Sequence, residues 1–297
     1  MADVLSKGTL FDQELVKDLI NKAKGHSSLA VLSGQTPIPF NGRKEFTFTM
    51  DSEIDVVAEN GKKSHGGVTV EPVTIVPIKV EYGARISDEF MIASEEEQID
   101  ILKAFNDGFA KKLASGIDIM AFHGINPRTG LASAVIGENH FDKKVTQTVD
   151  YDATKPDENI ESAIALVEGS EGDVTGMAIA PAVRSALAIM TKQNGEKLYP
   201  DFAFGGKPKN LGSHTLDINK TVATGGVDKG IVGDFANMFK WGYSKEIPME
   251  IIQYGDPDNS GKDLKGYNQV YIRAEAYVGW GILDGNSFAR IVDGDTE

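Results

Sequence analysis

A chain of 297 residues, 41% hydrophobic and 25% charged, has the size and balance of one large or two small globular domains. Its 44 acidic against 30 basic residues leave a net charge of −14, which argues against the basic face of a sequence-reading nucleic-acid-binding protein. There is no cysteine, so disulfides, thiolate chemistry and cysteine metal sites are excluded, as suits a protein made in a reducing cytoplasm. No apolar run approaches the ~18 residues of a membrane span. The opening MADVLSKGTLFDQELVKDLI lacks the basic start and apolar block of a secretion signal.

In chain order, Phe11, Leu15, Leu19 and Ile20 share one side of a short amphipathic helix that ends at Gly25. Such a helix docks either on a partner or on its own domain. Pro37 and Pro39 enforce an extended entry. Phe46, Phe48 and Met50 then alternate with polar residues, the period of a half-buried strand. Glu53 to Gly67 is polar and glycine-bearing. Val68 to Tyr82 is rich in Val and Ile, with Val76, Ile78, Val80 and Tyr82 alternating. Together they predict a long two-stranded arm with a soft tip. An isolated two-stranded arm is marginal in water, so a neighbouring subunit is a candidate support.

The longest helical signal follows. Ser94 and Glu97 form a capping-box pair, and Glu95 to Glu97 suit the positive end of a helix dipole. Apolar residues recur at Ile99, Leu102, Phe105, Phe109, Leu113, Ile117 and Met120, with Asp107 and Lys111 paired on the opposite face. Gly124 stops the helix. Leu131 to Val149 reads as short strands and loops. Beyond it, Ile160, Ile164 and Val167 predict a helix. Met177 to Ala180 predicts a buried strand ended by Pro181, and Val183, Leu187 and Met190 a second helix. The stretch YPDFAFGGKPKNLG is a loop around aromatic residues. This alternation predicts a compact α/β unit. The clearest strand runs from Val270 to Leu283, with Val270, Ile272, Ala274, Ala276, Val278, Trp280 and Ile282 on one face and Tyr271, Arg273, Glu275 and Tyr277 on the other. The first face is expected to cover the long helix, giving an α+β body of 36–150 and 244–297 with 151–243 inserted.

The phrases IDVVAENGKK, VTIVPIKVEYGARIS, SDEFM with its long helix, HGINPRTG, GMAIAPAVRSALAIM and NQVYIRAEAYVGWGILDGNSFARI resemble, in that order, the major capsid proteins of tailed bacteriophages. The resemblance covers most of the chain from about Phe40 onward. It implies the Hong Kong ninety-seven type fold, which encapsulin shells share. In those terms 1–35 is an N-terminal arm and 36–85 an extended β-hairpin loop. Residues 86–150 with 244–297 form a peripheral domain on a spine helix. Residues 151–243 form an axial domain whose loop near 199–210 lines the symmetry axes. The implied function is a shell built from hexamers and pentamers of this chain around double-stranded DNA held by non-specific contact, with a portal partner and no cofactor. Only about 35 residues precede Thr36, so scaffolding is expected from a separate protein or from a segment already absent. An encapsulin-type compartment and an α/β enzyme or ligand-binding protein remain alternatives.

There is no phosphate-loop, HExxH or GxSxG motif, and GGKPKNLG is a turn. His26, His65, His123, His140 and His214 lack metal-ligand spacing; His123, at a helix end, is expected to be structural. Asp256, Asp258, Ser260 and Gly261 resemble the start of a calcium loop. The twelfth position is Tyr267 instead of Glu, with Asp263 a weak substitute, which favours an ordinary polar turn. Some members of the family join subunits by an isopeptide bond between Lys and Asn, with Glu taking the proton. The resemblance maps these onto Lys63, Asn268 and Glu275. Arg273, on the same strand face as Glu275, weakens it as a proton acceptor, so a surface lysine and an interface salt bridge are the favoured alternative.

Overall fold

The structure is a computed structural model describing residues 27–91, 95–244 and 249–294. The helix expected at Phe11–Ile20 and the expected cap residue Ser94 lie outside the described residues. A short helix, α1 (Ser28–Leu32), precedes the hairpin of β1 (Arg43–Met50) and β2 (Val68–Ile75). Then come β3 (Ile78–Ser87), the long helix α2 (Glu95–His123), α3 (Phe141–Lys144) and β4 (Thr148–Asp150). The middle of the chain holds α4 (Pro156–Gly169), β5 (Gly176–Ile179), α5 (Pro181–Ile189), β6 (Asn210–Leu211), β7 (His214–Ile218) and β8 (Asp228–Gly233). It closes with β9 (Phe239–Tyr243), β10 (Met249–Ile252), β11 (Gln269–Ile282) and β12 (Phe288–Val292). Among the described residues no helix is long and apolar enough to cross a membrane.

The expected seam between helix and sheet is present. Leu102, Phe109, Leu113, Ile117 and Met120 of α2 are buried in one cluster with all seven even-numbered residues from Val270 to Ile282. At about 1.5 Å per residue, α2 runs roughly 43 Å, a rod along one face of the sheet. β11 pairs antiparallel with β3 on one edge and with β10 and then β9 on the other.

Three features depart from the sequence reading. First, Val68 to Tyr82 is not one arm strand. Pro77, which has no N–H to donate, separates β2, paired in the hairpin, from β3, paired with β11. The arm is therefore 43–75, and its root is embedded: Ile75 is buried, and a Cβ at Gly281 would sit 2.7 Å from Ile75 Cγ1. Second, 27–35 does not reach outward. Leu29 is buried in the core, and Trp241 Nε1 donates to the Ser33 carbonyl at 3.1 Å. Third, the sheets cross the expected boundaries at 150 and 244. β12 and β4 join the six-stranded sheet β4-β12-β8-β5-β7-β6, whereas β9 leaves it for β11. β9 places Trp241 opposite Trp280, and that pairing draws it out of the inserted segment.

Candidate functional site

The arm is the most exposed apolar feature. Phe46 lies opposite Pro72, Phe48 opposite Val70 and Met50 opposite Val68. Directly opposed residues share a face of an antiparallel pair, so these six make one apolar surface. Phe46, Phe48 and Met50 are 63%, 61% and 70% exposed. The alternation is as the sequence predicts, but the half-burial is not: among the described residues nothing covers that face. At the tip, Ile54 and Val56 are almost fully exposed. Contiguous bare apolar area of this kind marks an interaction surface.

The three cross-link candidates are not brought together within one chain. Lys63 is exposed in the tip. Asn268 sits at the entrance to β11 in the left-handed region, φ 51°, where its carbonyl accepts from the Asp88 amide at 3.0 Å. Glu275 lies seven residues along the strand, about 23 Å at ~3.3 Å per residue. Its carboxylate is already engaged by Lys79 Nζ at 2.6 Å and Arg273 Nε at 3.3 Å, and Arg273 also holds Glu250 at 2.9 Å. The hydrogen bond to Glu275 holds Lys79 above the usual lysine range.

The loop that resembles a calcium site is filled by a guanidinium. Arg85, from β3, bonds Asp256 Oδ1 at 2.7 Å, Asp258 Oδ1 at 2.5 Å and the Lys262 carbonyl at 2.8 Å. Asp256 also accepts from the Ser260 and Gly261 amides, and Asp263 from those of Gly255 and Gly266. The acidic residues, the weak calcium candidates Asp256, Asp258 and Ser260 among them, thus serve an internal ion pair and turn geometry. The hydrogen bond from Arg85 holds the Asp258 carboxyl well below the usual carboxylate range.

Two buried clusters escape a motif search. Asp118, wholly buried in α2, accepts from Ser27 Oγ and from Thr221 Oγ1 at 2.8 Å. It also accepts from the Ser28 amide at 2.8 Å and from the Leu29 amide and Asn219 Nδ2 at 3.3 Å. It ties the entry segment and the 220–223 turn to the spine. Burial pushes its carboxyl up to about 6 against those donors. Its position was legible, since it lies four residues after Ala114 and three before Ala121 on the buried stripe. The second cluster joins His123 at the end of α2, Asp142 in α3, Asp228 in β8 and Arg290 in β12. Arg290 Nη2 lies 2.9 Å from Oδ1 of each aspartate. His123 Nδ1 lies 3.0 Å from Asp142 Oδ2 and 3.7 Å from Asp228 Oδ2. Burial, with Asp142 beside it, lifts Asp228 to about 7. No spacing in the sequence announces this group, because its members come from four elements.

A family model described as the phage capsid family matches residues 7–293. The chain belongs to the phage capsid family. Among solved structures, a chain from Mycobacterium phage Ogopogo is 33% identical, with 91% of this chain and 92% of that one covered and a TM-score of 0.78. A chain from Gordonia phage Cozz is 22% identical, covers 91% and 87%, and has a TM-score of 0.76. One titled as the capsid of a native GTA particle computed with C5 symmetry is 14% identical over 92% and 91%, TM-score 0.66; these last two show the fold alone. No curated protein matches. The α+β capsid fold expected from the resemblance is therefore present, and the chain is a major capsid protein, a structural subunit that assembles with itself into a virion shell.

Proposed function

We propose that this capsid protein closes an icosahedral phage head around double-stranded DNA, as hexamers and pentamers in which each 43–75 arm lies across the adjacent copy. The observation that carries this is the uncovered face of Phe46, Phe48, Met50, Val68, Val70 and Pro72 on a hairpin rooted at Ile75. Small contacts repeated by symmetry close such a shell. The 151–243 segment faces the symmetry axes, with the loop around Phe204 nearest the centre; Phe204 is fully exposed and left-handed at φ 53°. Net charge −14 suits a wall that touches packaged DNA weakly and non-specifically. A portal protein completes the head, which is built in the bacterial host cytoplasm. The protein works by assembly and catalyses no turnover.

The shell is held without covalent links through Lys63, Asn268 and Glu275. Supporting this, Lys79 and Arg273 already occupy the carboxylate that the chemistry needs as proton acceptor. Boiling assembled shells in detergent is expected to release only the 32.0 kDa chain; a ladder of multiples that disappears in Lys63→Arg would overturn it. Sedimentation and negative-stain images of the purified protein test the shell itself. Megadalton closed particles are expected, and a small oligomer at every concentration would contradict the proposal. Nuclease-protected DNA in particles from phage-producing cells separates a head from an encapsulin-type compartment, which would hold protein instead.

A further inference from the structure

The cluster at the end of α2 presents three electron-pair donors to one another with no donor hydrogen certain between them. His123 Nε2 lies 3.3 Å from the Thr221 carbonyl, which only accepts, so Nε2 carries a hydrogen. Nδ1 then faces Asp142 Oδ2 at 3.0 Å and Asp228 Oδ2 at 3.7 Å. Lone pairs do not approach so closely in a buried site without a proton or a cation between them. Arg290 cannot supply it, since its guanidinium engages the two Oδ1 atoms. A proton on Nδ1 reaches Asp142, and Asp228 Oδ2, in a residue with no exposed area and with no other hydrogen-bond partner, needs a second proton on its own carboxyl. One dication takes the place of both protons and satisfies all three atoms.

We propose that His123 Nδ1, Asp142 Oδ2 and Asp228 Oδ2 form a binding site for a zinc-class divalent transition metal. The three donor atoms lie within 4.8 Å of one another. Tetrahedral zinc with nitrogen and oxygen ligands at ~2.0–2.2 Å sets ligand atoms roughly 3.4 Å apart, between the two measured separations. The carbonyl on Nε2 is the outer partner that metal-binding histidines use to fix their tautomer. Room beside the ring is kept by Gly226, where a Cβ would sit 2.4 Å from Nδ1. The ion would join the end of the spine helix to α3 and β8, and through Arg290 to β12. The site is independent of what the shell encloses.

The test uses the full-length protein, stripped with EDTA and titrated with Zn²⁺ by calorimetry and with Co²⁺ by visible absorbance. One saturable site per chain is expected, with release of protons because Nδ1 and both carboxylates must be bare. Zn²⁺ should raise the melting temperature and EDTA should reverse the rise. Asp142→Asn, at a partly exposed position that keeps its shape, should weaken Zn²⁺ binding tenfold or more, and His123→Gln should remove the Co²⁺ bands. Absence of stoichiometric binding, equal binding in Asp142→Asn, or a doubly protonated His123 ring by ¹⁵N NMR in saturating Zn²⁺ would each overturn the site.

Discussion

The arm and β11 carry the same alternation of apolar and polar residues and meet opposite fates. Along β11 every even-numbered residue from Val270 to Ile282 is 4% exposed or less, because α2 lies over that face. Along the arm the matching residues are more than half exposed. A period of two states only that one face needs a cover. It does not say whose chain supplies it. In β11 the cover is intramolecular, and substitution there should unfold the subunit. In the arm the proposed cover is another copy, and on that reading substitution there should spare the subunit and cost the shell.

The largest expected effect is on the covered side of that contrast. Trp280→Ala removes a side chain 2% exposed whose Nε1 donates to the Asn139 carbonyl. It should lower subunit stability by about 3–5 kcal/mol in denaturant unfolding; a loss under about 1 kcal/mol would show that the seam is not what holds the fold. Next is Asp118→Ala, which strands buried donors on Ser27, Ser28, Thr221 and Leu29. The expected loss is about 3 kcal/mol, because each donor left without a partner costs roughly 1–3 kcal/mol before relaxation. On the uncovered side, Phe46→Ser with Phe48→Ser should leave subunit unfolding within about 0.5 kcal/mol, while shell yield falls sharply by sedimentation. A matching drop in subunit stability would mean that the arm packs on its own chain.

The smallest effect concerns the loop that Arg85 fills. The folded carboxyl of Asp258 lies below its unfolded value of 3.8. Its contribution is therefore present above that pH and lost as pH falls through the folded value. Because the pair is solvent-screened, the consequence should appear in the titration of Asp258 more than in stability. Carboxyl NMR should give a midpoint below 3.8, and Arg85→Gln should return it toward 3.8.

How much of this was legible followed from how local each signal is. α2 was readable from its threes and fours, and the buried face of β11 from its alternation, because periodicity is a property of one segment. β5 was readable from Met177 to Ala180, and Pro181, which ends that strand, opens α5. The split at Pro77 was also written in the chain, yet the Val and Ile on either side masked it. Exchange of β9 and β12 between sheets was not readable, since strand partners are set by tertiary packing such as Trp241 against Trp280. The Asp256 loop looked like a cation site because its spacing is local, whereas the guanidinium that fills it comes from Arg85, far away in sequence. The His123 group was invisible for the same reason.

Removal of the arm's tip probes the contrast most directly. A chain lacking Asp51 to Gly67, with β1 and β2 joined by a short turn, should sediment as a folded small species with the melting temperature of the intact subunit and form no stable closed particles. If it assembles shells at normal yield, the arm is not the element by which neighbouring copies hold one another, and the account given for its bare apolar face is wrong.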